Sequence, residues 1–136
     1  MTDIIDAADL AAREQAALAR YQAGDLSGAA QAFRALLIEA PEHVTALEFL
    51  GFEASQRADY ANAADYYRRA TGASPLDATN YFNLAMSHYG LNDLPATLAA
   101  LEQTLERDPS LIEAQLYRGT VLERMQRPAD AALAFL

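Results

Sequence analysis

The sequence predicts an all-α chain, an α-solenoid of stacked antiparallel helix pairs. Three observations carry that expectation. Pro41, Pro75 and Pro109 stand 34 residues apart, and each closes a helical run, LLIEAP, ATGASP and LERDP. At the same period Ala29, Ala63, Thr97 and Ala131 share a column, Phe33, Tyr67, Leu101 and Phe135 share a second, and Ala17, Gly51, Ala85 and Gly119 share a third. No segment alternates apolar and polar residues as a half-buried strand would.

The clearest unit is Val44 to Pro75. Leu47, Leu50, Gly51 and Ala54 fall three and four apart, on one face of a helix. A glycine inside a helix costs about 1 kcal/mol relative to alanine. The return expected at Gly51 is close approach of a second helix, and Gly119 is expected at the same kind of crossing. Ala63, Tyr67 and Ala70 form the matching stripe of the second helix. Asp59 is placed to cap that helix, and Pro75 ends it.

The other elements follow in order. Residues 1–9 form a lead-in in which Thr2, Asp3 and Asp6 can cap a helix running from about Asp6 to Gln22. Gly24-Asp25 makes a turn, and Asp25 or Ser27 starts a helix that reaches Ala40. Asp77 caps a helix to about Leu91, and Asn92-Asp93 turns the chain. Pro95 then falls in the first turn of a helix to about Arg107, where proline is tolerated. A further helix opens at Ser110 and runs to about Gln126. The chain turns at Arg127, and Pro128 opens a helix cut off at Leu136, as in a chain that continues.

Composition narrows the function. A chain of 136 residues, 52% of them hydrophobic, is expected to form one domain with a continuous core. It has no cysteine, hence no disulfide framework and no thiolate chemistry. It has no lysine and a net charge of −9, which argues against nucleic acid and anionic membranes as partners. No apolar run reaches the roughly 18 residues of a membrane span, and the acidic start MTDIIDAADL lacks the basic opening of a secretory signal. A cytoplasmic location is expected. His43 and His88 lie far apart with no third ligand in sight, so no metal site is expected. Neither a phosphate loop nor a nucleophile elbow occurs, so the chain is read as having no cofactor and no catalytic residue.

The columns resemble the tetratricopeptide repeat (TPR) family, whose 34-residue unit carries an aromatic, Leu-Gly, Tyr, Ala, Phe and Pro at fixed offsets. The repeats would be 10–43, 44–77, 78–111 and a partial 112–136. The chain departs from the pattern in two columns. The first aromatic column holds Arg13, Leu47, Tyr81 and Gln115, and the tyrosine column holds Arg20, Ala54, His88 and Leu122. The resemblance implies a right-handed superhelix whose first helices line a concave groove.

Projected on that groove are Glu14, Leu18 and Tyr21, then Thr45, Glu48 and Phe52, then Phe82, Met86 and Tyr89, then Leu116, Thr120 and Glu123. Phe49, Asn83 and Tyr117 stand one step away. Phe52, Phe82, Met86 and Tyr89 are expected to form one apolar strip. The family's carboxylate-gripping subtype resembles a set of Lys, Asn, Asn, Lys and Arg. Here the equivalent positions hold Glu14, Leu18, Phe49, Thr79 and Asn83, or one repeat later Glu48, Phe52, Asn83, Glu113 and Tyr117. Neither set supplies the cations that hold a carboxylate.

The function expected is a non-catalytic scaffold that binds a protein or peptide with apolar anchors and neutral-to-basic flanks. The alternatives are the amino-terminal part of a larger bacterial oxygenase, sulfotransferase or glycosyltransferase, and a secretion-type chaperone. Apolar Leu133 and Leu136, with Val121, Leu122 and Met125 less covered than their equivalents, suggest a carboxyl-terminal edge through which two chains could pair.

Overall fold

A computed structural model of the chain describes residues 6–126. Seven helices follow one another: α1 Ala7–Gln22, α2 Leu26–Glu39, α3 Val44–Gln56, α4 Tyr60–Ala73, α5 Ala78–Gly90, α6 Leu94–Arg107 and α7 Ile112–Gln126. Each packs on the next, giving an all-α solenoid of antiparallel hairpins. The edge expected around Leu133 and Leu136, like every residue from Arg127 on, lies outside the described residues. Among those described, nothing lies within 4 Å of a Cβ built on Gly119, whose column partner Phe135 is not one of them. Val121 corrects one expectation, because it is fully buried. It packs in the core formed with Ala85, Leu101 and Ala114.

Aspartates set the helix starts. Asp25, Asp59 and Asp93 recur every 34 residues, and their carboxylates accept hydrogen bonds from the backbone N–H groups of Gly28 (2.8 Å), Asn62 (3.3 Å) and Ala96 (3.2 Å). Each satisfies a donor that the first helical turn leaves unpaired. Asp6 and Asp77 cap α1 and α5 in the same way. His43, before α3, makes no such bond.

The hairpin turns repeat as closely. Gly24, Ala58 and Asn92 have φ of 88°, 57° and 60°. The N–H groups of Asp25, Asp59 and Asp93 then reach back to the carbonyls of Arg20, Ala54 and His88 at 2.9, 2.9 and 3.0 Å. This six-residue closure with a left-handed residue before it terminates the first helix of each pair. Glycine and asparagine suit that conformation, and alanine there is strained.

Gly51 behaves as expected. A Cβ added there would stand 2.8 Å from the Tyr67 ring of α4. Gly90 does the same for Tyr60, which seats the start of α4 against the end of α5. The core has a large cluster under α1–α4, including Phe33, Leu36, Leu47 and Leu50, and another under α5–α7. Between them Ala54, Ala63 and Tyr67 meet Leu84. Buried polar residues Glu53, Asn80 and Ser87 lie on the two first helices flanking that junction.

Candidate peptide-binding face

Helices α1 and α3 stand side by side where their rings touch, and α5 and α7 do the same. In the amino-terminal half, the edge of Tyr21 meets Phe49 at 5.4 Å and Phe52 at 6.3 Å between centroids, with ring planes at 81° and 87°. Edge-to-face geometry at this separation is the favourable one for aromatic pairs. Phe49 in turn rests on Phe33 at 4.7 Å. Tyr21 is 43% and Phe52 37% exposed, whereas Phe33 is fully buried. The result is a two-storey stack with its upper rings open to solvent.

Phe49 corrects the projection. It is only 9% exposed and belongs to the hydrophobic core, so it is the floor of this face and not part of its surface. Leu18 packs beside the same core, half-buried. Glu48 is half-buried on α3. Burial pushes the Tyr67 phenol above its ordinary value, with an opposing contribution from the Ser55 hydroxyl and a reinforcing one from the Glu48 charge.

The carboxy-terminal half is closed. Phe82 and Tyr89 meet Tyr117 at 6.2 and 5.4 Å. Arg124 lies over the Tyr89 ring, 5.8 Å from its centroid, and donates to the Tyr89 hydroxyl at 3.3 Å. Phe82, Met86, Tyr89 and Tyr117 are all half-buried and pack on the α5–α7 core. The single strip expected from Phe52 to Tyr89 is therefore two ring clusters, and among the described residues no ring contact joins them.

Asn83 is half-buried, and its carbonyl accepts from the Ser87 hydroxyl at 3.0 Å. Leu116 is 67% exposed. Acids are spread along the first helices. Glu14 lies 3.5 Å from His43 Nε2. The nearly buried Glu53 receives Arg57 Nε on both carboxylate oxygens, at 2.9 and 2.8 Å. That pairing, chiefly through the hydrogen bond to Glu53, raises the Arg57 pKa and keeps its guanidinium protonated. Glu113 and Glu123 stand on α7, exposed and half-buried. Among the described residues no three His, Asp or Glu side chains converge on a metal-sized space. No helix there is long and apolar enough to cross a membrane.

Two features escaped the projection. Asn80 is 1% exposed, and its side-chain amide has no hydrogen-bond partner on either atom. The signal was present, since Asn80 occupies the column of the buried alanines Ala46 and Ala114. The Glu53–Arg57–Asp59 chain, which ties the end of α3 to the cap of α4, gave no signal beyond ordinary helix spacing.

Comparison with known proteins places the molecule. The sequence pattern described as tetratricopeptide repeat matches residues 14–78, 53–110 and 82–136. A curated relative, a protein SGT1 homolog of Oryza sativa subsp. japonica, is 34% identical over 77 residues, 55% of this chain and 21% of that protein's length. The chain thus spans about a fifth of that relative. Among solved structures, the first TPR of Spaghetti (RPAP3) bound to the HSP90 peptide SRMEEVD superposes with a TM-score of 0.79 at 13% identity, covering 92% of this chain and 99% of that one. An O-GlcNAc transferase mutant from Thermobaculum terrenum superposes with a TM-score of 0.71 at 27% identity, covering 90% of this chain and 24% of that one.

Proposed function

The chain belongs to the tetratricopeptide-repeat family, and from that premise we propose that it is a non-catalytic scaffold holding a peptide or partner helix on its first-helix face. The observation that carries this is the pair of open rings, Tyr21 and Phe52, seated on buried Phe49 and Phe33. Aromatic side chains exposed on a rigid base supply large contact area at little entropic cost, which is the property of interface anchors. Leu18 extends the apolar surface beside these rings, and Leu116 exposes an apolar side chain on the other half of the face. Glu14, Glu48, Glu113 and Glu123 favour a partner with neutral or basic flanks.

This preference separates the chain from the structural neighbour that carries the acidic peptide SRMEEVD. The positions that would grip a carboxylate hold Glu14, Leu18, Phe49, Thr79 and Asn83 here, and Phe49 is buried. A set of short peptides sharing a Leu-x-x-Phe anchor and differing only in flanks, lysine, serine or aspartate, tests the reading by fluorescence anisotropy. The lysine-flanked peptide is expected to bind tightest, with affinity falling as salt rises. Preference for aspartate flanks, with NMR shift changes falling on Tyr21 and Phe52, would overturn it.

A second reading rests on the transferase neighbour, where a stretch of this fold fills 24% of a longer enzyme. In that case the same face would hold a substrate protein for an attached catalytic domain. The sequence of the gene downstream of Leu136 separates the two readings.

A further inference from the structure

Two of the second helices, α2 and α4, form a groove whose charge is opposite to that of the first-helix face. Between α2 and α4 lies a shallow depression of about 380 Å³ lined by Arg34, Leu37, Ile38, Tyr66 and Arg69. Ile38 is 83% exposed, and Leu37 beneath it is buried. Arg69 holds its guanidinium near the Tyr66 ring, 5.9 Å from the centroid, and donates to the Pro41 carbonyl at 3.3 Å.

The acids of α2 and α4 are Glu39 and Asp65, and each is already engaged, Glu39 by Arg13 and Asp65 by Arg68. Arg34 and Arg69 have no carboxylate partner among the described residues. The nearby Glu42 of the connecting loop makes no ion pair with either. A chain with net charge −9 thus keeps, in one groove with an exposed aliphatic side chain, two guanidiniums that have no carboxylate partner among the described residues.

We propose that this groove is a second docking site, independent of the first-helix face, and that it takes an acidic peptide segment carrying an aliphatic side chain. The aliphatic group would lie on Leu37 and Ile38. Carboxylates on either side would meet Arg34 and Arg69, whose forked donors suit carboxylate oxygens. Charge complementarity selects this occupant. Nucleic acid requires several phosphate contacts, and a membrane surface a cluster of roughly four to eight cations. Two arginines on a strongly acidic protein provide neither. With opposite preferences on its two faces, the chain would join a basic partner to an acidic one.

The experiment uses the full chain and a fluorescein-labelled peptide, acetyl-Asp-Asp-Leu-Ile-Asp-Asp, with its lysine counterpart as comparison. Anisotropy is expected to show binding of the acidic peptide, weakened about tenfold or more by Arg34→Glu with Arg69→Glu. Ile38→Ser, an exposed substitution, is expected to weaken it without altering helicity. NMR shift changes should fall on Ile38 and Tyr66, not on Tyr21 and Phe52. No binding up to millimolar peptide overturns the proposal, as does equal affinity for the double variant. So do shifts confined to the first-helix face, or tighter binding of oligothymidine or phosphatidylserine vesicles than of the peptide.

Discussion

The two halves of the first-helix face use the same residue types to different ends. In the amino-terminal half, Phe33 and Phe49 take the buried places, which leaves Tyr21 and Phe52 raised above them. In the carboxy-terminal half the column of Phe33 holds Leu101, an aliphatic side chain. There the rings of Phe82, Tyr89 and Tyr117 sink onto the core themselves, and Arg124 closes over the last of the stack. An aromatic side chain is free to serve as an anchor where another ring already fills the core beneath it. Identical period in the sequence does not imply identical exposure.

The largest effect should come from the floor of the open half. Phe33→Ala is expected to cost about 3–5 kcal/mol, since the ring is fully buried. Tyr117→Ala should cost clearly less, because Tyr117 is half-buried. Chemical denaturation of both variants checks the order, and equal losses would erase the distinction between the halves. Gly51→Leu comes next, at about 1–3 kcal/mol, because any Cβ there meets the Tyr67 ring. An unchanged melting midpoint would contradict the close crossing.

The turns sharpen the same contrast. Ala58→Gly should gain about 1 kcal/mol by relieving a left-handed alanine. Asn92→Gly, at the equivalent turn of the next hairpin, should gain less, since asparagine tolerates that conformation. Arg124→Gln should cost about 0.5–1 kcal/mol through the lost cation–π contact with Tyr89, and it should raise the exposure of that ring to iodide quenching.

The smallest effect is a pH dependence. Hydrogen bonds from Asn62, chiefly its side chain, hold the Asp59 carboxyl below the usual carboxylate range. A lowered folded pKa contributes stability that is present above the unfolded value and lost as pH falls through the folded one. Asp59→Asn keeps a competent cap. Its melting temperature should fall less than that of the natural chain as pH is lowered below about 4.

These residues also show what the sequence could reveal. Helix starts and stops were legible because Asp25, Asp59 and Asp93, with Pro41, Pro75 and Pro109, act locally and repeat at one period. Asp25 rather than Ser27 caps α2, a choice decided by which carboxylate reaches the Gly28 N–H. The face was harder. Whether Phe49 or Phe52 is exposed depends on Phe33, which is 16 residues earlier in the chain and on another helix. Phe82 and Met86 fall on the projected positions yet half-bury themselves against the aliphatic core of α5–α7. Period assigns a residue to a side of the helix, and the volume beneath sets how far it protrudes.

The central claim is that the open rings of the amino-terminal half anchor the partner and the closed rings of the other half chiefly hold the fold. The most direct measurement is the affinity of the lysine-flanked Leu-x-x-Phe peptide for two double variants, with a thermal melt of each. Tyr21→Ser with Phe52→Ser should weaken binding about tenfold or more while the melting midpoint stays within a few degrees of the natural chain. Phe82→Ser with Tyr89→Ser should lower the midpoint far more. Unchanged affinity in the first variant, or a melt as damaged as that of the second, would contradict the account.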